Sequence, residues 1–307
     1  MGCVKPLAAA LGLALWAGAG PDRAWASGEP APVPAETRWR SWTDWRLPSF
    51  GERTVFFPSG DIFAPPFADP KQPRFHATWQ SYHTAFGDYR VGSVGFGENL
   101  GLARWPSGRE GDGVQLGVSG AVLALFNMDS ESHDLLNADY IIGFPLSWRR
   151  RHWSARARLF HQSSHLGDEF LLTSQPIALE RINLSYEVLE TLLSWDNHQF
   201  RVYGGPSRIL STVTPLKRQR VQAGAEYRSS PWLGRTGRWL AGVEWSAWQE
   251  NRWQGNLGLK GGIVLASPFQ EARSVQLYGE FYGGEIPHGQ FYRLRTAYYG
   301  LGLAFSL

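Results

Sequence analysis

The chain's densest chemistry lies in the run HQSSHLGDE, His161 to Glu169. On a strand, successive side chains alternate faces, so His161, Ser163 and His165 share one face while Gln162 and Ser164 take the other. Neighbouring members of that row stand about 6.6 to 7 Å apart at Cα, which lets a histidine ring nitrogen meet the serine hydroxyl. A serine becomes a nucleophile when such a base removes its proton, and the base works best when a carboxylate orients its ring. Asp168 or Glu169 can serve as that orienter if the chain turns back at Gly167. The same residues suggest a metal site, but a straight strand holds His161 and His165 about 13 Å apart, too far for one ion. No metal and no cofactor are expected. A plainer reading stands beside the catalytic one: His and Ser mark the point where a strand leaves hydrocarbon for headgroups or a loop.

The His-x-Ser pair resembles that of the outer-membrane phospholipase and lipid A deacylase barrels, which cleave acyl esters from a lipid-facing strand. The resemblance implies His161 as base, Ser163 as nucleophile, and phospholipid or lipid A as substrate. The sequence departs from that pattern at Ser164, where the phospholipase has Asn, and at Gln175, where both families place an orienting Asn or Glu.

The element that must carry these residues begins at Trp153. Trp153, Ala155, Ala157 and Leu159 fall on one face and Ser154, Arg156 and Arg158 on the other. A membrane barrel would turn the apolar face to lipid and keep the arginines in a wet lumen. The pattern recurs. Trp239, Val243 and Trp245 alternate with Gly242 and Glu244; Leu257 and Leu259 with Gly258 and Lys260; Leu277 and Phe281 with Tyr278 and Glu280. Segments of this kind fall at about 74–85, 91–104, 113–127, 137–149, 152–164, 181–195, 199–210, 219–229, 237–249, 253–266, 273–284 and 296–307. The expected fold is all-β, a closed antiparallel up-and-down transmembrane barrel of about 12 strands. Arg156, Arg158, Arg220, Arg228, Lys260, Glu187, Glu226, Glu244 and Glu280 are expected to face the lumen, and the mixed signs favour internal ion pairs over a selective pore. Tyr278 and Tyr282 should help to fill it. With the N-terminus in the periplasm, the connections 128–135, 166–180 and 284–295 are extracellular and long, and those at 150–151 and 195–198 are short.

Residues 1–26 read as a secretory signal: Lys5, an apolar run from Leu7 to Gly20, and Ala24-Trp25-Ala26 for cleavage. Removal of Lys5, Asp22 and Arg23 lowers the net charge from +3 to +2, and it takes Cys3, the one cysteine, with it. No disulfide is expected. Basic and acidic residues are interspersed apart from Arg149-Arg150-Arg151, which reads as a solvated turn, so no nucleic-acid partner is expected. Residues 27–71 form an irregular proline-rich leader, placed either in the periplasm or in the lumen, and 72–307 form the barrel. The 15 tryptophans suit interfacial girdles.

Phe57 to Phe75, FPSGDIFAPPFADPKQPRF, together with HQSSHLGDE, resembles a bacterial family catalogued as an uncharacterised domain of unknown function (1207). The resemblance implies an outer-membrane location and fold and says nothing of activity. The last segment sets Tyr299, Leu301, Leu303, Phe305 and Leu307 on one face, which resembles the signal read by the barrel-assembly machinery. That machinery and outer-membrane lipids are the expected partners. The expected role is a non-enzymatic envelope or interaction function with a largely plugged lumen, and the alternative is a lipid acyl-ester hydrolase.

Overall fold

A computed structural model describes residues 54–108, 111–168, 182–197, 199–232, 236–266 and 274–306. The expected signal, the leader up to residue 53, and Glu169 and Gln175 lie outside these residues. Thirteen strands are described: β1 (Val55–Phe56), β2 (Phe75–Thr84), β3 (Gly87–Pro106), β4 (Gly113–Asn127), β5 (Leu135–Arg150), β6 (Trp153–Leu166), β7 (Leu184–Asp196), β8 (Phe200–Thr212), β9 (Gln219–Arg228), β10 (Gly237–Trp248), β11 (Gly255–Ala266), β12 (Ser274–Glu285) and β13 (Arg295–Ser306). Each of β2 to β13 pairs antiparallel with its chain neighbour, and β13 returns to β2 through Phe305↔Phe75 to Thr296↔Thr84. The result is a closed 12-stranded antiparallel barrel. Closure leaves these strands no open edge, so the ladder satisfies the backbone without water. β3 outruns β2, and β1 covers part of the excess at Ala103 and Arg104.

The period-2 alternation decides the two faces. Trp239, Trp245, Leu257, Leu259, Leu277 and Phe305 point outward, as their spacing predicts, while Glu244, Lys260, Tyr278 and Tyr282 are buried inside. One assignment is corrected. Glu187 lies opposite His161 on the outer face, and Glu190, of the other parity, is the inward carboxylate of β7. A charge in an alternating segment suggested the lumen, but the run of apolar residues on both sides of Glu187 left its parity to be settled by pairing.

The lumen is filled from both ends. From below, the end where β2 begins, residues 61–73, which are the end of the leader and the two residues after it, run inside the barrel. Phe63 is fully buried with its ring 4.9 Å from the guanidinium carbons of both Arg156 and Arg201. The Phe67 N–H donates to Glu226 at 2.7 Å, Arg149 donates to the Ile62 carbonyl at 3.2 Å, and Arg74 donates to the Pro66 and Phe67 carbonyls. From the other end, the connection 286–294 folds inward instead of projecting. Ile286 and Phe291 pack with Tyr82, Val91, Leu125, Leu166, Tyr282 and Tyr298. Tyr298 stacks on Tyr82 at 4.7 Å and on Tyr282 at 5.2 Å.

Candidate functional site

Strand β6 positions both sets of chemistry that the sequence singles out. Its 14 residues alternate without a bulge against β5 and β7, so the row from Trp153 continues outward through Leu159, His161, Ser163 and His165. Cross-strand register then sets their neighbours. His161 lies between Ile142 and Glu187, Ser163 between Tyr140 and Ser185, and His165 beside Ala138.

The geometry divides the expected triad into two halves. The Ser163 hydroxyl is 3.1 Å from Nε2 of His165. His161 instead bonds Glu187, Nδ1 to Oε1 at 3.0 Å. So the histidine next to the serine is the one two residues after it, and the carboxylate belongs to the other ring. His165 stands edge-on to Tyr140 with centroids 5.7 Å apart. Asp168 is exposed and bonds neither histidine among the described residues. A Ser163–His165 dyad can pass the hydroxyl proton to the ring; a His161–Glu187 pair can fix a tautomer but has no nucleophile on it. Glu187 is the residue that sequence reasoning missed. Its distance of 26 positions from His161 is bridged only by the β6–β7 register.

Inside the same strand Arg156 donates to Glu190 Oε1 at 2.9 Å and Arg158 to Oε2 at 3.0 Å. Further round, Arg201 pairs with Glu226 and Lys260 with Glu280 at 3.1 Å each, and Tyr203 donates to Glu244 at 2.7 Å. Burial of the Arg156, Arg158, Arg201 and Lys260 charges is tolerable because each has a carboxylate partner, while Glu244 has a neutral donor, the Tyr203 hydroxyl. Asp139, with no exposure, joins three parts of the molecule. It accepts from Lys71 of the leader, from Asn137 of its own strand at 2.9 Å and from the Gly289 N–H of the upper connection at 3.0 Å. His288 lies 3.9 Å from it. Burial, then the Lys71 charge, push the His288 ring down to about 4 despite the nearby Asp139 carboxylate. A cavity of about 110 Å³ remains between leader and upper connection, lined by residues including Asp69, Arg158, Glu190, Arg220 and Tyr282. Among the described residues no group of three or more His, Cys, Asp or Glu side chains could hold a metal ion.

The profile of the family described as "Protein of unknown function (DUF1207)" matches residues 51–307. No curated protein matches the sequence. Among solved structures the chain is similar to outer membrane phospholipase A from Escherichia coli, with 15% identity over 78% of this chain and 93% of that one and a TM-score of 0.47. It is also similar to the NanC porin, with 8% identity over 76% and 100% and a TM-score of 0.43. The transport unit of the autotransporter AIDA-I from Escherichia coli gives 15% identity over 81% and 95% and a TM-score of 0.40.

Proposed function

The chain belongs to the family of proteins of unknown function DUF1207, and we propose that it is an integral outer-membrane barrel with a largely plugged lumen and a non-enzymatic envelope or interaction role. One observation carries this reading: large apolar side chains cover the outer wall on most strands while the interior holds the buried ion pairs. Trp79, Phe96, Phe144, Leu159, Leu193, Trp239, Leu259, Leu277 and Leu301 are each exposed by 40% or more on different strands. A water-soluble barrel would have the reverse distribution. Aromatic side chains cluster near both rims, Trp153, Phe200 and Trp239 at one and Tyr140, Trp245 and Tyr299 at the other, as interfacial girdles do. Outer-membrane lipids are then the lateral partners. The barrel-assembly machinery would read β13, whose outward row includes Tyr299, Leu301 and Phe305.

Two measurements test this. Membranes washed with high salt or carbonate should retain the protein and detergent should release it; release by salt alone overturns the membrane reading. In planar bilayers the purified protein should give no large stable conductance, because leader and upper connection meet at Asp139. A steady open channel overturns the plugged lumen.

The Ser163–His165 bond favours a second reading, acyl-ester hydrolysis. Ser163 would attack the ester carbonyl as its proton passes to His165, the protonated ring would return that proton to the leaving alcohol, and water would then release the fatty acid by the same steps. Acyl release from labelled phospholipid or lipid A that vanishes in Ser163→Ala and His165→Ala would replace the non-enzymatic reading. No release from the unaltered protein, with or without calcium, eliminates it.

A further inference from the structure

The outer wall is not smooth. Below its midline, on the side of β6 nearest the β5–β6 turn, lies a groove of about 680 Å³, within the roughly 300–1,000 Å³ range of ligand sites. Register builds it. Ala155 lies between Trp148 of β5 and Leu193 of β7, and Ala157 between Leu146 and Thr191. Two methyl-sized side chains therefore make a floor between bulkier walls. The floor widens over Gly204, Gly205 and Pro206, where the β7–β8 ladder is interrupted between Glu190↔Ser207 and Leu193↔Gly204. Gly205 permits that close approach, since a Cβ there would stand 1.9 Å from the Thr191 carbonyl oxygen.

The foot of the groove is cationic. Arg150 pairs in register with Trp153, two residues along the strand from the Trp148–Ala155 level, so it stands about 7 Å beneath the floor. Arg151 follows in the turn with φ of 55°. Both are exposed, and neither side chain has a hydrogen bond or ion pair with a described residue. Arg149, of the opposite parity, is occupied inside the barrel with Asp196 and the Ile62 carbonyl. Beside these two guanidinium groups, Trp153 and Trp195 are registered neighbours and His152 packs 6.1 Å from Trp195. Aromatic rings at this level mark the boundary between hydrocarbon and headgroups.

We propose that this groove and Arg150–Arg151 form a binding site for one anionic glycerophospholipid of the leaflet facing the periplasm. An acyl chain would lie over Ala155 and Ala157, and the phosphate would meet the two arginines. The inference rests on the outer-membrane reading with the leader on the periplasmic side. Three features fix the occupant. The floor lies at a depth where the surrounding medium is acyl chain. The cations sit at the headgroup level directly beneath it, and their side chains lack carboxylate partners among the described residues; Asp112, the carboxylate that bonds this turn, accepts from the Arg151 backbone N–H at 2.7 Å. The guanidinium fork matches phosphate oxygens bidentately.

The test is native mass spectrometry of the detergent-purified full chain with equimolar phosphatidylglycerol and phosphatidylcholine. The unaltered protein should retain one phosphatidylglycerol in preference to phosphatidylcholine. Arg150→Gln with Arg151→Gln should lower that preference about 30-fold, given the usual contribution of each basic residue near an anionic headgroup. Arg150→Lys with Arg151→Lys should fall between the unaltered protein and that variant, keeping the attraction of the charge and losing the bidentate fork. Ala157→Trp, which fills the groove from outside, should lose retention of both lipids, with heat-modifiable migration on gels reporting that the barrel has folded. Equal retention of the two lipids by the unaltered protein, or unchanged phosphatidylglycerol binding in Ala157→Trp, overturns the site. Failure of the membrane reading would look different: protein washed from membranes by salt, whatever lipid it binds.

Discussion

The two faces of β6 solve opposite problems. Its inward row, Arg156 and Arg158, is buried and stabilised by one shared carboxylate, Glu190, with Phe63 of the leader over Arg156. Its outward row, Leu159 to His165, turns from apolar to polar along its length, and its polar residues are only part-buried or exposed. Inside, a charge is tolerated because a partner is fixed against it; outside, a polar group is tolerated because of its height on the wall. Changes on the inner row should therefore act through lost partners, and changes on the outer row through depth.

The largest effect is expected at Glu190. Glu190→Leu leaves two buried guanidinium groups without their carboxylate and should destabilise the barrel by about 3–5 kcal/mol, read as a lowered urea midpoint in detergent. A shift no larger than that of a surface change would mean that water reaches the arginines. Next is Leu159→Arg, midway along the outer row, which should weaken insertion into bilayers by about 2–4 kcal/mol. Insertion equal to that of the unaltered chain would show that this face does not meet lipid.

Acid should loosen the upper connection. The buried His288 ring titrates near 4 instead of 6.5, so below pH 6.5 the undocked ring takes up a proton that the docked ring refuses. Docking is at full strength above 6.5 and declines as the pH falls toward 4, by about 2 kcal/mol at pH 5. Lys71, Asp139 and Glu280 are the charges that bear on the ring. Hydrogen exchange of residues 286–291, corrected for intrinsic rates, should report the loss, and His288→Gln should flatten it. The smallest effect is expected at Ser163→Ala, whose part-exposed hydroxyl should change stability by less than about 0.5 kcal/mol. A loss well above that would give the Ser163–His165 bond a structural role.

Much of this was legible in the chain itself. A strict period of two in Trp239–Ala247 or Asn256–Leu265 assigns each residue to a face before any partner is known, because a strand offers only two directions. Twelve such segments bounded by turns imply closure, and Trp239, Leu259 and Leu277 meet the outside as their parity predicts. Periodicity carries no information, however, about which strands become neighbours or what enters the enclosed space. Glu187 and Glu190 must take opposite faces, but the apolar residues around them left open which faced inward, and only the β6–β7 register sends Glu187 to His161 and Glu190 to Arg156 and Arg158. Likewise, spacing allowed Ser163 either histidine, and the choice of His165 depends on the side-chain directions that Tyr140 and Glu187 leave open. The leader's prolines excluded a spanning strand, and the leader contributes to the sheet only the two-residue β1 among the described residues, but they could not say where residues 61–73 would go. That was decided by Arg149 and Asp139 of β5 and Glu226 of β9, from two strands far apart in the chain, which converge on one segment only when the barrel has closed.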